Sequence, residues 1–170
     1  NKTLLLLILT PIFLFSQIDD FQGFMDFSYD NDSGKIILNI EDLDKEFLYI
    51  NSLSRGVGNN DLGLDRGQLG NSRIVYFTKK GNKILLIQPN LRYISNSQNP
   101  LENKAVEEAF ARSVLFGFDI IEHSNGSFKV DLTPFLMKDA HGVAQRLKST
   151  NSGLYSINES MSAIDLDRTK

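Results

Sequence analysis

Apolar and polar residues alternate along much of this chain, and a period of two marks strands. Gln22 to Tyr29 sets Phe24, Met25, Phe27 and Tyr29 among polar neighbours, and Lys35 to Ile40 is rich in Ile and Leu. Between them lies the turn cluster Asp30-Asn31-Asp32-Ser33-Gly34, so the two segments read as a β-hairpin. Phe47 to Leu53 is a further strand candidate. Arg73 to Thr78 and Lys83 to Gln88 form a second hairpin across Lys80-Gly81-Asn82, where Gly and Asn tolerate positive φ. A third joins Phe118 to Glu122 and Phe128 to Leu132 through Ser124-Asn125-Gly126-Ser127, and Leu154 to Ile157 and Ala163 to Leu166 read as late strands.

The period lengthens to that of a helix from Pro100 to about Phe116. Asn99 is a suitable N-cap, Pro100 suits the first helical position, and Glu102 completes a capping box. Leu101, Ala105, Val106, Ala109, Phe110 and Val114 make one apolar stripe, opposed by Glu102, Lys104, Glu107, Glu108 and Arg112, with Glu108 and Arg112 as a supporting pair. Gly117 stands where a left-handed helix end is wanted. Thr133-Pro134 opens a short helix through Met137, and a second runs from about His141 to Lys148. Hairpins rather than βαβ crossovers predict an α+β domain: a mostly antiparallel sheet with one long amphipathic helix and short helices.

The first residues read differently. Lys2 precedes an apolar run over residues 4–15, too short for the roughly 20 residues of a membrane-spanning helix. A basic start, a short apolar stretch and then Ser16 make the pattern of a secretory signal peptide over residues 1–17. The expected protein is therefore exported, periplasmic or extracellular, with a domain over residues 18–170 and no membrane span once mature. The chain lacks an initiator Met and stops at Asp167-Arg168-Thr169-Lys170 directly after a strand-like stretch, so a longer parent polypeptide is expected.

Composition removes several chemistries. A formal charge of −3 offers no electrostatic footprint for nucleic acid. The absence of Cys excludes disulfides, thiol nucleophiles and thiolate metal sites, and two His leave little material for a transition-metal centre. No G-x-S-x-G or H-E-x-x-H occurs. His141, near Asp139, opens a helix and reads as a structural or cap residue. Asp30 to Gly34 with Glu41 echoes a calcium loop, but the Gly comes one place early and residues 36–40 read as strand, so a hairpin turn is the better reading.

The unusual segment is residues 54–70, SRGVGNNDLGLDRGQLG. It fails the dinucleotide pattern because Asp61 stands where the third Gly belongs, and it fails the P-loop because Leu64-Asp65 follow Gly63. It is expected to be a long ordered loop with several positive-φ positions. Either it packs on its own sheet or a neighbouring domain, or it lines a substrate groove or docks a partner. Arg55, Asp61, Asp65, Arg66 and Gln68 are the candidate contact residues.

With these residues in view, Glu46 to Gly70 (EFLYINSLSRGVGNNDLGLDRGQLG) resembles the N-terminal non-catalytic region of secreted bacterial zinc-dependent, metzincin-like metallopeptidases. Further matching stretches are Gln88-Pro89-Asn90-Leu91-Arg92-Tyr93, Ala105 to Ser113, Asp139 to Ala144, and Ser162 to Lys170. The resemblance implies a catalytic domain downstream, with an H-E-x-x-H-x-x-G-x-x-H motif whose His hold zinc and whose Glu activates the metal-bound water. No position of this chain matches that motif, so no catalytic or metal residue is assigned here and no cofactor is expected in this segment. The implied partners are that catalytic domain and, for the parent, a peptide or protein substrate. The competing expectation is a free-standing exported binding domain without catalysis.

Overall fold

The runs that alternate or carry β-branched and aromatic side chains become strands. In the computed structural model, which describes residues 17–166, they are β1 (Ile18–Phe21), β2 (Phe27–Asp30), β3 (Lys35–Ile40), β4 (Phe47–Tyr49), β5 (Arg73–Lys80), β6 (Lys83–Gln88), β7 (Ser113–Ser124) and β8 (Ser127–Asp131). The leader expected over residues 1–17 lies, Gln17 apart, outside the described residues, as do residues 167–170. All neighbouring strands are antiparallel, in the order β1-β2-β3-β8-β7-β6-β5-β4.

That sheet is curled, and the curl follows from distance. Flat, with strands about 4.8 Å apart, β2 and β4 would stand roughly 29 Å from each other. Instead Phe24, in the β1–β2 connection, meets Phe47 of β4 edge-on with ring centroids 6.0 Å apart. The β3–β4 connection crosses the same open end, and the Asp44 amide donates to the Phe77 carbonyl of β5 at 2.7 Å. The result is a half-barrel that wraps its apolar face around itself.

Alternation places the core inside the curl. Leu38 and Ile40 of β3, Val75 and Phe77 of β5, Ile84 and Leu86 of β6, Phe118 of β7, and Phe128 and Val130 of β8 form one buried cluster. Helix α2 (Thr133–Leu136) closes an end of it. Phe135 from α2 lies 5.5 Å from Phe116, 6.0 Å from Phe118 and 5.7 Å from Tyr49, measured between ring centroids. Thr133 ties this plug to the sheet: its Oγ1 accepts from the Ile36 amide at 2.9 Å, while its own amide donates to Asp131 at 3.0 Å.

Three expectations are corrected. The domain is not α+β with one long amphipathic helix; it is a curled antiparallel sheet with three short helices among the described residues. Helix α1 covers Pro100–Ala109, has no buried residue, and leaves Leu101 at the head of the expected stripe 75% exposed. Its start forms as read, with Asn99 Oδ1 accepting from the Leu101 amide at 3.0 Å, although Glu102 meets the Asn99 side chain rather than its backbone. Its end fails because Ser113 to Phe118 belongs to β7, where Val114 pairs with Ile87, Phe116 with Leu86 and Gly117 with Leu85. Backbone bonds to β6 and burial of Phe118 outweigh a solvent-facing helical turn. Accordingly Arg112 pairs with Glu107, while Glu108 pairs with Lys104. The late strands expected at 154–157 and 163–166 do not form, and Leu154 and Tyr155 are exposed.

The hairpin turns hold as read. Asp30 accepts from the amides of Asp32 and Ser33 and from the Ser33 hydroxyl, the geometry of a turn side chain bonded to its own loop.

Two outcomes are expected. Phe135→Ala removes the ring common to three aromatic contacts and should destabilise by about 2–4 kcal/mol in denaturant unfolding. Lys129 sits directly opposite Glu122 across β7 and β8 and hydrogen-bonds it at 2.9 Å, which holds the Glu122 carboxyl below the usual range. A lowered carboxylate contributes stability above its unfolded pKa and loses it as pH falls through the folded value. NMR titration should place Glu122 below an ordinary Glu, and Lys129→Met should move it back up.

Candidate functional site

Residues 54–70 lie between β4 and β5 and fold back on themselves as an irregular hairpin. Ser52 and Leu69 form an isolated antiparallel bridge. The Leu53 amide donates to the Gln68 carbonyl at 3.0 Å, Gly67 to Leu53 at 2.7 Å, and Gly70 to Asn51 at 2.7 Å. Further out, the Val57 amide donates to Leu64 at 3.2 Å, and a 3₁₀ turn spans Asn60–Leu62. These backbone bonds fold the loop back on itself. Leu62 and Leu64 are buried and act as its apolar anchors.

The glycines have two separate reasons. Gly58, Gly63 and Gly67 take left-handed φ of 76°, 61° and 83°, a conformation that costs a side-chain-bearing residue about 1–2 kcal/mol. Gly56 has ordinary φ, but a Cβ there would stand 2.9 Å from the Leu64 carbonyl oxygen, so two backbone segments cross at a distance only hydrogen allows.

A distant helix completes the anchoring. Helix α3 (Val143–Ser149) carries Arg146, whose Nε donates to the Leu62 carbonyl at 2.8 Å. The Asn51 amide nitrogen lies 3.0 Å from His141 Nδ1, which, with Asn51 as donor, makes that ring nitrogen an acceptor. Gly70 leaves room for this contact, since a Cβ there would come within 2.4 Å of the Asn51 Oδ1. Asp139, expected near the His141 ring, instead accepts from the Val143 and Ala144 amides, both at 2.8 Å, and caps α3. Arg146 and Asn51 were not among the sequence-derived candidates. They lie 84 and 90 positions from their partners, and no local pattern marks them.

The predicted contact residues fall on the outer surface of this anchored loop. Arg55, Asp61, Asp65, Arg66 and Gln68 are all exposed. Gln68 Oε1 accepts from the Asp65 amide at 3.2 Å. Arg55, Asp61, Asp65 and Arg66 form no ion pair among the described residues, so the loop is held by backbone, leucines and Arg146 and not by its own charges.

His123 stacks on Phe128 with centroids 4.3 Å apart, His141 faces Asn51, and among the described residues no group of three or more His, Cys, Asp or Glu could hold an ion. Among the described residues no helix is long and apolar enough to cross a membrane.

A family model, the domain of unknown function DUF5117, matches residues 67–170, more than half of the chain. The chain belongs to the DUF5117 family. No curated protein and no solved structure matches it. The matched part of this DUF5117 protein begins inside the loop at Gly67, so it contains Gln68, His141 and Arg146 but not Arg55, Asp61, Asp65 or Arg66. Strands β1 to β4 nevertheless share one sheet with the matched β5 to β8, so the match boundary is no structural boundary.

The anchoring makes a measurable claim. Gly63→Val should destabilise by about 1–3 kcal/mol through its left-handed φ. Arg146→Gln should leave the Leu62 carbonyl short of its donor and raise amide exchange across residues 53–68 more than in β6. An unchanged exchange pattern would disprove the α3 anchor.

Proposed function

We propose that this DUF5117 domain is the non-catalytic N-terminal part of an exported zinc-dependent metallopeptidase, and that it packs on a downstream catalytic domain and shapes its cleft. One observation carries the docking role: residues 54–70 are held by their own backbone bonds and by Arg146 of α3, while their charged side chains face solvent with no ion pair among the described residues. A surface fixed before contact loses little conformational entropy on binding, and Arg55 and Arg66 remain available for carboxylates of a partner.

The resemblance of residues 46–70 to such enzymes supports a catalytic domain as that partner. The exposed Leu154, Tyr155, Ile157 and Met161 add an apolar stretch that a second domain can cover. In this reading the residues described here position and support. Zinc and the water it activates belong to the catalytic domain, and His123 and His141 keep their contacts within the sheet and loop.

The test uses the whole gene product. It should hydrolyse a protein substrate, and a chelator should abolish the activity. Arg55→Glu with Arg66→Glu should lower kcat/KM about tenfold while leaving the melting temperature within a degree or so. A gene product without chelator-sensitive hydrolysis would overturn the proposal and favour a free-standing binding domain.

A further inference from the structure

The open end of the half-barrel holds a cavity of about 490 Å³, within the usual size range of ligand sites. It lies where the β1–β2 and β3–β4 connections approach each other, away from residues 54–70. Its apolar side comes from Phe47 and Phe77, which continue the core, and from Phe24. Phe24 is 81% exposed, yet it is held in place by its edge contact with Phe47. A large exposed aromatic at a cavity mouth offers a face that water alone occupies poorly.

The polar side of the cavity is acidic. Asp26, Glu41, Asp42 and Glu46 line it, and Lys45 is the one cation beside them among the described residues. Internal contacts absorb part of this charge: Asp42 pairs with Lys45 at 2.8 Å, Glu41 accepts from Asn39, and Asp26 accepts from the Gly23 amide. Glu46 has no hydrogen bond or ion pair among the described residues. A carboxylate with both oxygens open, beside exposed aromatic carbon and an apolar floor, matches one kind of group. That group carries a delocalised cation on an apolar stem. A guanidinium stacks on an aromatic face, offers several N–H donors to separate acceptors, and can bond one carboxylate with two of them.

The source of the cation follows from the sheet. Among the described residues β4, which brings Phe47 to the cavity, pairs with β5 and with no other strand, so its other edge is open beside the cavity. An extended polypeptide can add to such an edge and lower one side chain into the adjoining pocket.

We propose that this cavity binds an arginine side chain of an extended peptide, with the guanidinium on Glu46 and Phe24 and the peptide backbone along β4. The proposal uses no part of the metallopeptidase reading, and its test requires no hydrolysis. The probe is a fluorescein-labelled peptide, Val-Thr-Arg-Thr-Val, titrated against the full-length protein by fluorescence anisotropy. The comparators are the same peptide with citrulline for arginine, which keeps shape and loses charge, and arginine amide alone as a competitor. Saturable binding is expected, weakened about tenfold by citrulline and by higher salt. Glu46→Gln and Phe24→Ala should each weaken binding several-fold. Glu46 is exposed and its side chain has no bonded partner among the described residues, so Glu46→Gln should leave the melting temperature unchanged, and that measurement separates lost binding from lost fold. Absence of saturable binding, equal affinity for the citrulline peptide, or insensitivity to Glu46→Gln would overturn the proposal. Arginine amide competing as strongly as the peptide would overturn the role of β4.

Discussion

The structure depends on one geometric necessity: a single sheet must bury its apolar face without a second layer. Helix α2 plugs one end of the core through Phe135, and neither α1 nor α3 has a buried residue, so the described helices form no layer over Val75, Ile84 and Val130. The sheet covers them by curling until β2 and β4, six strands apart in order, bring Phe24 and Phe47 into contact. Phe135 from α2 fills one end of the curl, and the other end stays open as a cavity. Core and candidate ligand pocket are therefore two consequences of the same closure.

The glycine-rich loop obeys a second constraint. A long connection must pair whatever backbone groups it buries, and it is ordered only where contacts offset the entropy of fixing it. This one does so by folding back, by burying Leu62 and Leu64, and by accepting Arg146 from α3. Its charges are left over from that solution. A rigid loop with unspent charge is suited to recognition, which is why the docking role rests here and not on helix α1, whose apolar residues remain largely in solvent.

Local signals were read correctly where the structure is local. The three hairpins depend on alternation and on turn residues within a few positions, and both are visible in the chain. The overrun of α1 into residues 110–116 has a physical cause as well. Val114, Leu115 and Phe116 suit a buried strand as well as a helical stripe, and only the presence of β6 decides between them. The strands expected at 154–157 and 163–166 failed for the converse reason: their residues alternate suitably, but no described strand edge pairs with them.

By itself, the amino-acid sequence determined where turns fall, which residues alternate, and that residues 54–70 need glycine at several backbone positions. These are properties of neighbours along the chain. The order of strands, the curl, the cavity beneath Phe24, and the bonds from Arg146 and Asn51 were decided by tertiary structure. Each joins residues far apart in sequence, and their selection rests on burying one continuous apolar surface, which no short segment encodes alone.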